Sequence, residues 1–432
     1  MTSGARPDTP ARPRLSSDAP SDAPWLSVVG LQASGVEALG EPARRAIAEA
    51  AFVFGGERHL ALAASLVTGT QIAWPSPFAQ GIEHLLSLRG QRVCVLASGD
   101  PFHYGVGATL SAHLAPAEMQ VYPAPSAFSL ACARLGWPQQ RCRTLSLHGR
   151  PLSNLAAHLH AGARLLLLTD DGQAPARIAA LLHARGLGAS RLIVLEAMGG
   201  PRERESRQSA AALAEQPVDF DALNLVALEL PSDASGDAGG LAPGRADSLF
   251  EHDGQISRRD VRAMSLGRLA PRPGERLWDV GAGSGAVAIE WLRLDERLEA
   301  IAIERDEARA ERIKRNADAL GTPQLQVITG EAPAALDGLA APDAIFVGGG
   351  VSDMALMARC FDALVPGGRL VANAVTLEGE LALGECHRLL GGSLTRLALE
   401  QTAPLGRMTG FAPARTLTQW CWVKPDDFPG AS

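Results

Sequence analysis

A glycine-rich loop directly after a predicted strand places the tightest constraint on the fold of this chain. The strand is predicted over 277–280, and the loop consists of Gly281, Ala282, Gly283, Ser284 and Gly285. A helix is predicted next, and the following strand ends at Glu304, 19 residues beyond the last glycine. Glycines let the backbone turn tightly and approach a ligand closely, and a carboxylate in this position can accept both hydroxyls of a ribose. The order of elements therefore predicts a parallel α/β sheet with a nucleoside-binding crevice at the carboxyl ends of its strands.

Three interpretations of this loop remain open. Asp279 suits a cationic amino-acid ligand better than a pyrophosphate, and residues 330–332 follow the third predicted strand as an adenine-binding loop would. Both details favour S-adenosylmethionine (SAM). A dinucleotide such as NAD stays an alternative because Gly281, Gly283 and Ala286 also satisfy the pattern G-x-G-x-x-A. A glycine turn with a purely structural role is the third alternative.

The composition divides the chain into two folded pieces. Residues 1–24 contain five prolines among Ser, Asp and Arg, and we expect them to be disordered. Residues 232–246 form a run rich in Gly, Ser and Asp, which predicts a flexible linker. The remaining pieces, 25–231 and 247–432, each have the length of one α/β domain. Strands alternate with helices in both pieces, so we expect mostly parallel, doubly wound sheets.

Charge and hydropathy argue against several functional classes. The formal net charge of −7 argues against a nucleic-acid partner. No apolar run approaches the roughly 18 residues that span a bilayer, so we expect no membrane partner. The six cysteines show no CxxC spacing, and we therefore predict no metal site. Free thiols and an N-terminus without an apolar core predict a cytoplasmic protein.

Motifs along the second piece resemble known enzymes. Residues 279–285, Asp-Val-Gly-Ala-Gly-Ser-Gly, resemble motif I of Rossmann-type SAM methyltransferases. The stretches 253–262, 344–350 and 372–378 resemble, more narrowly, the small precorrin methyltransferases that decarboxylate their substrate. This resemblance covers about 250–424 and implies a Rossmann-like fold with a SAM site. The positions that match the cofactor site are Ser257, Gly281, Ala282, Gly283, Ser284, Gly285, Glu304 and Ala332.

A different set of motifs lies in the first piece. The Gly-Asp-Pro turn at 99–101 follows a predicted strand, and supporting stretches lie at 125–128 and 168–172. Over about 25–231 the sequence resembles the tetrapyrrole methylase family, which implies a fold of two α/β subdomains. The block at 146–150 is typical of the branch that acts on late precorrins. The positions that match the family's SAM site are Gly99, Asp100, Pro101, Ser126, Ala127 and Thr169.

Two such domains in this order resemble the bifunctional, decarboxylating precorrin methyltransferases of cobalamin biosynthesis. The resemblance implies that the first domain methylates C-5 of a tetrapyrrole. The second domain would then methylate C-15 and decarboxylate the C-12 acetate, which gives precorrin-8. It further implies one SAM per domain and, by analogy, a homo-oligomer. A SAM methylase acting on another substrate, or a dehydrogenase domain fused to a tetrapyrrole-binding domain, stays an alternative.

The chemistry adds candidate residues to the cofactor positions. A carboxylate-rich substrate needs cationic contacts, and decarboxylation is helped by an acid that protonates the ring. The catalytic candidates are His252, Arg407 and His148. The substrate-binding candidates are His103, Tyr104, Arg150, Arg258 and Arg259. For each of them a solvated surface charge is the alternative.

Overall fold

The computed structural model describes residues 24–233 and 242–428. Nearly all of the predicted tail and residues 234–241 of the predicted linker lie outside the described residues. The described residues form two five-stranded sheets in the first half, a seven-stranded sheet in the second half, and a separate two-stranded hairpin. Among the described residues, no helix is long and apolar enough to cross a membrane.

The first sheet consists of five parallel strands. They are β1 Leu26–Leu31, β2 Phe52–Gly55, β3 Thr70–Ala73, β4 Val93–Ser98 and β5 Met119–Tyr122. Their order across the sheet is β3-β2-β4-β1-β5. The helices between them are α1 Glu41–Ala48, α2 Glu57–Ala63, α3 Phe78–Ser87 and α4 Val106–Leu110. Because every neighbouring pair is parallel, the carboxyl ends of all five strands meet at one edge.

The second sheet is mixed, which differs from the mostly parallel sheets expected. Its strands are β6 Arg143–Ser146, β7 Arg164–Leu168, β8 Arg191–Glu196, β9 Arg204–Ser209 and β10 Asn224–Glu229. Their order is β6-β7-β10-β8-β9, and only the β6–β7 pair is parallel. The helices of this part are α5 Ala127–Leu135, α6 Ala174–Ala184 and α7 Ala210–Glu215. The first half thus has the two α/β subdomains that the sequence predicts.

The second half is built on one seven-stranded sheet. Its strands are β11 Arg276–Val280, β12 Glu299–Glu304, β13 Gln326–Thr329, β14 Ala344–Val347, β15 Arg369–Ala374, β16 Ser393–Leu397 and β19 Leu417–Val423. The hairpin β17 Glu400–Leu405 and β18 Met408–Pro413 interrupts the run from β16 to β19. The helices are α8 Arg259–Leu269, α9 Ala286–Leu292, α10 Glu307–Ala319, α11 Met354–Ala363 and α12 Leu377–Leu390. The order is β13-β12-β11-β14-β15-β19-β16, and β19 is antiparallel to both β15 and β16, whereas the other neighbouring pairs are parallel.

Alternating side chains give this sheet two apolar faces. Leu277 and Phe346 pack with α8, α9 and α10 on one face, whereas Trp278 and Ile345 pack with α11 and α12 on the other. A strand points successive side chains to opposite faces, so a strand buried on both sides needs a continuous apolar run. This is why β11, β12 and β14 are recognisable from the sequence. The doubly wound fold that the sequence predicts for this half is confirmed.

The end of the predicted linker is packed against the second half. The N–H groups of Gly244 and Arg245 donate to the buried carboxylate of Glu290, at 2.6 and 2.9 Å. The same carboxylate accepts from the fully buried guanidinium of Arg262 at 2.7 Å. A buried charge needs such partners, so residues 244–245 complete the packing of α8 against α9.

Candidate functional site

A cleft of about 1470 Å³ lies at the carboxyl edge of the third sheet. Val280 pairs in register with Ile303 on one side and with Val347 on the other, so the three adjacent strands β12, β11 and β14 end at the same height in the sheet. The residues that follow these strands line the cleft, among them Glu304 and the segment 348–350. The order of strands reverses at β11, and ligands of doubly wound sheets bind at such a position.

The glycine loop forms the floor of this cleft. Gly281 and Gly283 have φ values of +69° and +61°, which side chains rarely adopt. A Cβ atom on Gly283 would lie 2.7 Å from the carbonyl oxygen of Gln255, and one on Gly281 would lie 3.1 Å from the nitrogen of Gly349. The backbones of Gly349 and Gln255 thus lie too close to the loop for side chains at these two positions. Glycine is therefore required at both, and the cleft is narrow directly above the loop.

Three of the five predicted loop residues, Gly281, Ala282 and Gly283, line the cleft. Ser284 is buried behind the loop. Gly285 is the N-cap residue of α9, and a Cβ atom on it would lie 2.6 Å from a methyl group of Ile313. These last two residues shape the turn rather than the cleft wall.

Glu304 ties the loop to the end of β12. The residue is 5% exposed, and its carboxylate accepts the N–H of Gly283 at 2.8 Å and the N–H of Asp306 at 3.1 Å. Each carboxylate oxygen has a second lone pair, so Glu304 can accept further hydrogen bonds from a ligand in the cleft. The structure therefore brings Glu304 and the glycine loop together as the sequence predicts.

Asp279 lies beneath the loop and does not line the cleft. Its side chain accepts the N–H of Ala288 at 3.0 Å, and its other oxygen has no hydrogen-bond partner among the described residues. Burial raises the pKa of Asp279 to about 7, and the nearby charge of Glu304 acts in the same direction. The placement does not match the predicted contact with a cationic ligand, because the carboxyl group points toward α9.

The raised pKa of Asp279 makes the stability of the protein pH-dependent. The folded state holds a proton on this group up to about pH 7, whereas the unfolded chain releases it near pH 4, so the free energy of unfolding falls as the pH rises between these values. At about 1.4 kcal/mol per pKa unit, the loss across this range is on the order of 4 kcal/mol. We expect Asp279→Asn, which keeps the acceptor for Ala288, to reduce this slope in urea unfolding at pH 5 and pH 8. The exposed Asp426 provides the control, since Asp426→Asn should leave the slope unchanged; equal slopes for Asp279→Asn and wild type would contradict the assignment.

The segment before α8 forms one wall of the cleft. Ser257, Arg258 and Arg259 line it, whereas His252 does not. Asp253 anchors this segment, because its carboxylate accepts from Arg309 at 2.9 Å. That hydrogen bond is the main reason why the pKa of Asp253 is lowered. The Nδ1 atom of His252 accepts the N–H of Gly254 at 3.2 Å.

Several residues of the cleft carried no sequence signal. They come from the segment around the hairpin, far along the chain from the glycine loop: Leu397, Leu399, Gln401, Ala414, Arg415 and Leu417. Arg407 lies at the turn of the same hairpin, is exposed, and does not line the cleft. Among the described residues, neither Arg259 nor Arg415 has an ion-pair partner, so two cleft cations are available to an anionic ligand.

Asn316 is a positioning residue that no motif predicted. It is 2% exposed on α10, and its amide nitrogen donates to the carbonyl oxygens of Ser284 and Glu251 at 2.9 and 3.0 Å. Its amide oxygen accepts the N–H of Glu251 at 2.8 Å. One buried side chain thus joins the glycine loop to the wall segment.

A second candidate site lies at the carboxyl edge of the first sheet. Gly99 follows β4 with φ +54°, and a Cβ atom there would lie 2.9 Å from the carbonyl oxygen of Pro125. The loop that includes Pro101 therefore sits against the start of α5, where Ser126 accepts the N–H of Ser129 and Ala127 begins the helix. Asp100 accepts the N–H of Phe102 at 2.9 Å.

Thr169 lies at the end of β7 in the second sheet, where its hydroxyl donates to the side chain of Asn224 at 2.7 Å. The contacts of this threonine are thus within the second subdomain, and they fix the end of β7 to the start of β10.

Three of the predicted substrate-binding residues cluster beside the loop that begins at Gly99. The rings of His103 and Tyr104 lie 5.5 Å apart, and the guanidinium of Arg150 lies 5.5 Å from the centre of the Tyr104 ring. The hydroxyl of Tyr104 donates to the carbonyl oxygen of Thr144 at 3.3 Å, which links the first subdomain to the second. His148 is exposed on the turn after β6.

No metal site is evident in the part of the chain that the structure describes. Residues 24–233 and 242–428 contain no group of three or more His, Cys, Asp or Glu side chains arranged to hold an ion.

Two protein families match the two halves of the chain. The family described as tetrapyrrole (corrin/porphyrin) methylases matches residues 26–214, and the family described as the precorrin methyltransferase domain matches residues 248–424. The two matches do not overlap, and residues 215–247 lie between them.

Relatives match nearly the whole chain. A precorrin-6Y C(5,15)-methyltransferase (decarboxylating) from Sinorhizobium sp is 52% identical over 401 residues, which covers 93% of this chain and 97% of that protein. One of the same name from Mycobacterium tuberculosis is 41% identical, with 92% of this chain and 100% of that protein covered. The crystal structure of the C-terminal domain of a precorrin-6Y C5,15-methyltransferase from Rhodobacter capsulatus is 45% identical. It covers 43% of this chain and 100% of that domain, with a TM-score of 0.41.

Proposed function

Because the chain belongs to the precorrin-6Y C(5,15)-methyltransferase (decarboxylating) family, it is a methyltransferase, and we propose that it methylates C-5 and C-15 of precorrin-6B. In the same proposal it removes the C-12 acetate carboxyl group as CO₂, which gives precorrin-8 for cobalamin biosynthesis. The observation that carries the proposal is the glycine loop held by Glu304 on the floor of a cleft at the strand ends.

We assign one methyl transfer to each half. Each half has its own parallel strands ending at a glycine-shaped loop, and each matches a different methylase family. The first half would methylate C-5, and the second half would methylate C-15 and decarboxylate the acetate. This division requires one SAM per half, hence two per chain.

The residues of the second half fit SAM. The narrow space over the glycine backbone suits a flat nucleoside, and Glu304 offers carboxylate lone pairs where ribose hydroxyls would lie. When bound, SAM supplies a methyl group already activated by the positive charge on sulfur. The chain itself then needs to align the meso carbon with that methyl group and to exclude water.

Cations of the cleft wall would hold the substrate. Arg258, Arg259 and Arg415 line the cleft, and they would pair with the acetate and propionate carboxylates of a tetrapyrrole. Arg258 already has a neighbour in Asp247 at 3.5 Å, which leaves Arg259 and Arg415 as the freer pair. His252 and Arg407 do not line this cleft, and their predicted catalytic roles stay predictions. The role predicted for His148 in the first half also stays a prediction.

The proposed function is tested by incubating the full chain with SAM and precorrin-6B and weighing the product. We expect a gain of two methyl groups and the loss of one CO₂. Titration with S-adenosylhomocysteine should show two equivalents per chain, whereas NAD should not bind. A product without the second methyl group, or a single equivalent bound, would contradict one site per half. The predicted homo-oligomer is tested separately by light scattering.

Glu304→Gln is expected to weaken SAM binding in the second half alone. The amide can accept only one of the two backbone N–H bonds, and its NH₂ group must face the other N–H. The ribose hydroxyls also lose a charged acceptor. A hydrogen bond to a charged group contributes about 1.5–3 kcal/mol, so we expect the Kd of this site to rise by roughly 10- to 100-fold. Calorimetry should therefore resolve one unchanged and one weakened site.

The matched control for this variant is Glu299→Gln at the start of the same strand. The Glu299 side chain is 59% exposed and pairs with Arg276 at the amino ends of the strands, on the side of the sheet opposite the cleft. We expect both Kd values to stay at those of the wild type. An unchanged Kd in Glu304→Gln would remove Glu304 from the proposed site.

A further inference from the structure

Three polar side chains meet at the carboxyl edge of the first sheet, where no motif pointed. Arg58 and His59 lie in the first turn of α2, and Ser98 is the last residue of β4. The Nε2 atom of His59 lies 2.8 Å from the Ser98 hydroxyl, and an Nη2 atom of Arg58 lies 3.1 Å from both. Ser98 directly precedes Gly99, so the cluster adjoins the loop that we assign to SAM in this half.

Arg58 has no carboxylate partner in the part of the chain that the structure describes. The charge of Asp221 in the second subdomain raises the pKa of Arg58, but the Asp221 carboxylate itself pairs with Arg202 at 2.6 Å. The Arg58 side chain is exposed to solvent, but its neighbours partly desolvate it and so lower its pKa, and Asp221 offsets this only in part. A guanidinium has five N–H donors, and most of those on Arg58 face no protein acceptor.

His59 is arranged to orient this guanidinium without adding charge. Arginine only donates hydrogen bonds, so the Nε2 atom of His59 is the acceptor and the proton of the neutral ring lies on Nδ1. Burial, followed by the charge of Arg58, lowers the pKa of His59 to about 4. At neutral pH the ring therefore stays uncharged, and the cluster carries a single positive charge.

We propose that Arg58 binds a carboxylate of the tetrapyrrole substrate in the first half, with His59 and Ser98 as positioning residues. The inference rests on the proposed function, since the substrate is a tetrapyrrole with several carboxylate side chains. An arginine–carboxylate pair can form two parallel hydrogen bonds, which fixes orientation as well as position. Fixing one carboxylate beside the Gly99 loop orients the macrocycle, so that a meso carbon faces the methyl group to be transferred.

The proposal is tested with Arg58→Met in the full chain. ¹³C-methyl SAM labels both new methyl groups, and NMR of the product scores C-5 and C-15 separately. Loss of a charged hydrogen bond costs about 1.5–3 kcal/mol, so we expect the KM for C-5 methylation to rise by roughly 10- to 100-fold. The kcat for C-5 should change less, and both constants for C-15 should stay at the wild-type values. Arg58→Lys should recover part of the affinity because it keeps the charge.

Arg45→Met is the matched control. Arg45 is an exposed arginine on α1, 3.9 Å from Glu41, and its loss should leave both methylations unchanged. Thermal unfolding and the C-15 rate verify that Arg58→Met folds, and Arg58→Gln provides a second neutral variant that keeps polar character. An unchanged KM for C-5 in these neutral variants would overturn the inference. If the wild-type chain itself does not methylate C-5, the proposed function fails instead.

Discussion

Gly283→Val is expected to abolish methylation at C-15 while methylation at C-5 continues. Gly283 has φ +61°, a region that a β-branched residue strongly disfavours, and a Cβ atom there would lie 2.7 Å from the carbonyl oxygen of Gln255. The loop or the wall segment must therefore move, and the hydrogen bond from Gly283 to Glu304 is disturbed with it. NMR of the ¹³C-labelled product scores the two positions from one sample.

Gly274→Val is the matched control for Gly283→Val, because it introduces the same backbone strain away from the cleft. Gly274 lies before β11 with φ +85°, but a Cβ atom there would meet nothing within 4 Å. The strain costs about 1–2 kcal/mol in both variants, so both should lose thermal stability. Only Gly283→Val should lose methylation at C-15. If Gly283→Val methylated C-15 as well as Gly274→Val does, the glycine loop would not be part of the methyl-transfer site.

The glycine loop was predictable because its signal is local. A strand buried on both faces, a run of glycines and an acidic residue at the next strand end all lie within about 30 residues, and their order follows from the chain path of an α/β unit. Asp279 shows the limit of this reasoning. Its spacing from Gly281 indicated a ligand contact, but the alternation of the strand turns its side chain toward α9.

The cleft wall formed by residues 397–417 could not be predicted, because it depends on where the pairing of β16 with β19 ends. Residues 394–401 contain no Gly, Pro or Asn that would mark a turn. In the structure Leu397 pairs with Leu417, where β19 begins, and beyond it the chain pairs with β18 instead. Arg415 reaches the cleft only through this change of partner.

Two features of the first half could not be predicted from the sequence: an edge strand, and a side-chain cluster formed between distant segments. Strand β9 carries charged side chains in place of an apolar alternation, as edge strands often do, so its run of Arg and Glu carries no strand signal. The cluster of Arg58, His59 and Ser98 joins residues about 40 positions apart. No spacing rule connects them, since the parallel pairing of β2 with β4 brings them together.

Asp100→Ala is expected to have the opposite effect to Gly283→Val: most C-5 methylation is lost and C-15 methylation is kept. The Asp100 carboxylate accepts the N–H of Phe102 at 2.9 Å and so fixes the turn after Gly99. Alanine leaves this N–H without its partner, at a cost of about 1 kcal/mol, and it also removes a negative charge next to the proposed SAM site. We expect the C-5 rate to fall about tenfold or more.

Asp100→Asn distinguishes the two contributions, because the amide oxygen can still accept from Phe102 while the charge is gone. Activity close to wild type in Asp100→Asn would assign the effect to the shape of the turn, and activity as low as in Asp100→Ala would assign it to the charge. The pair Gly283→Val and Asp100→Ala also tests the division of labour itself. Each variant should lose a different methyl group; if both lost both methyl groups equally, the two halves would not act as separate methylation sites.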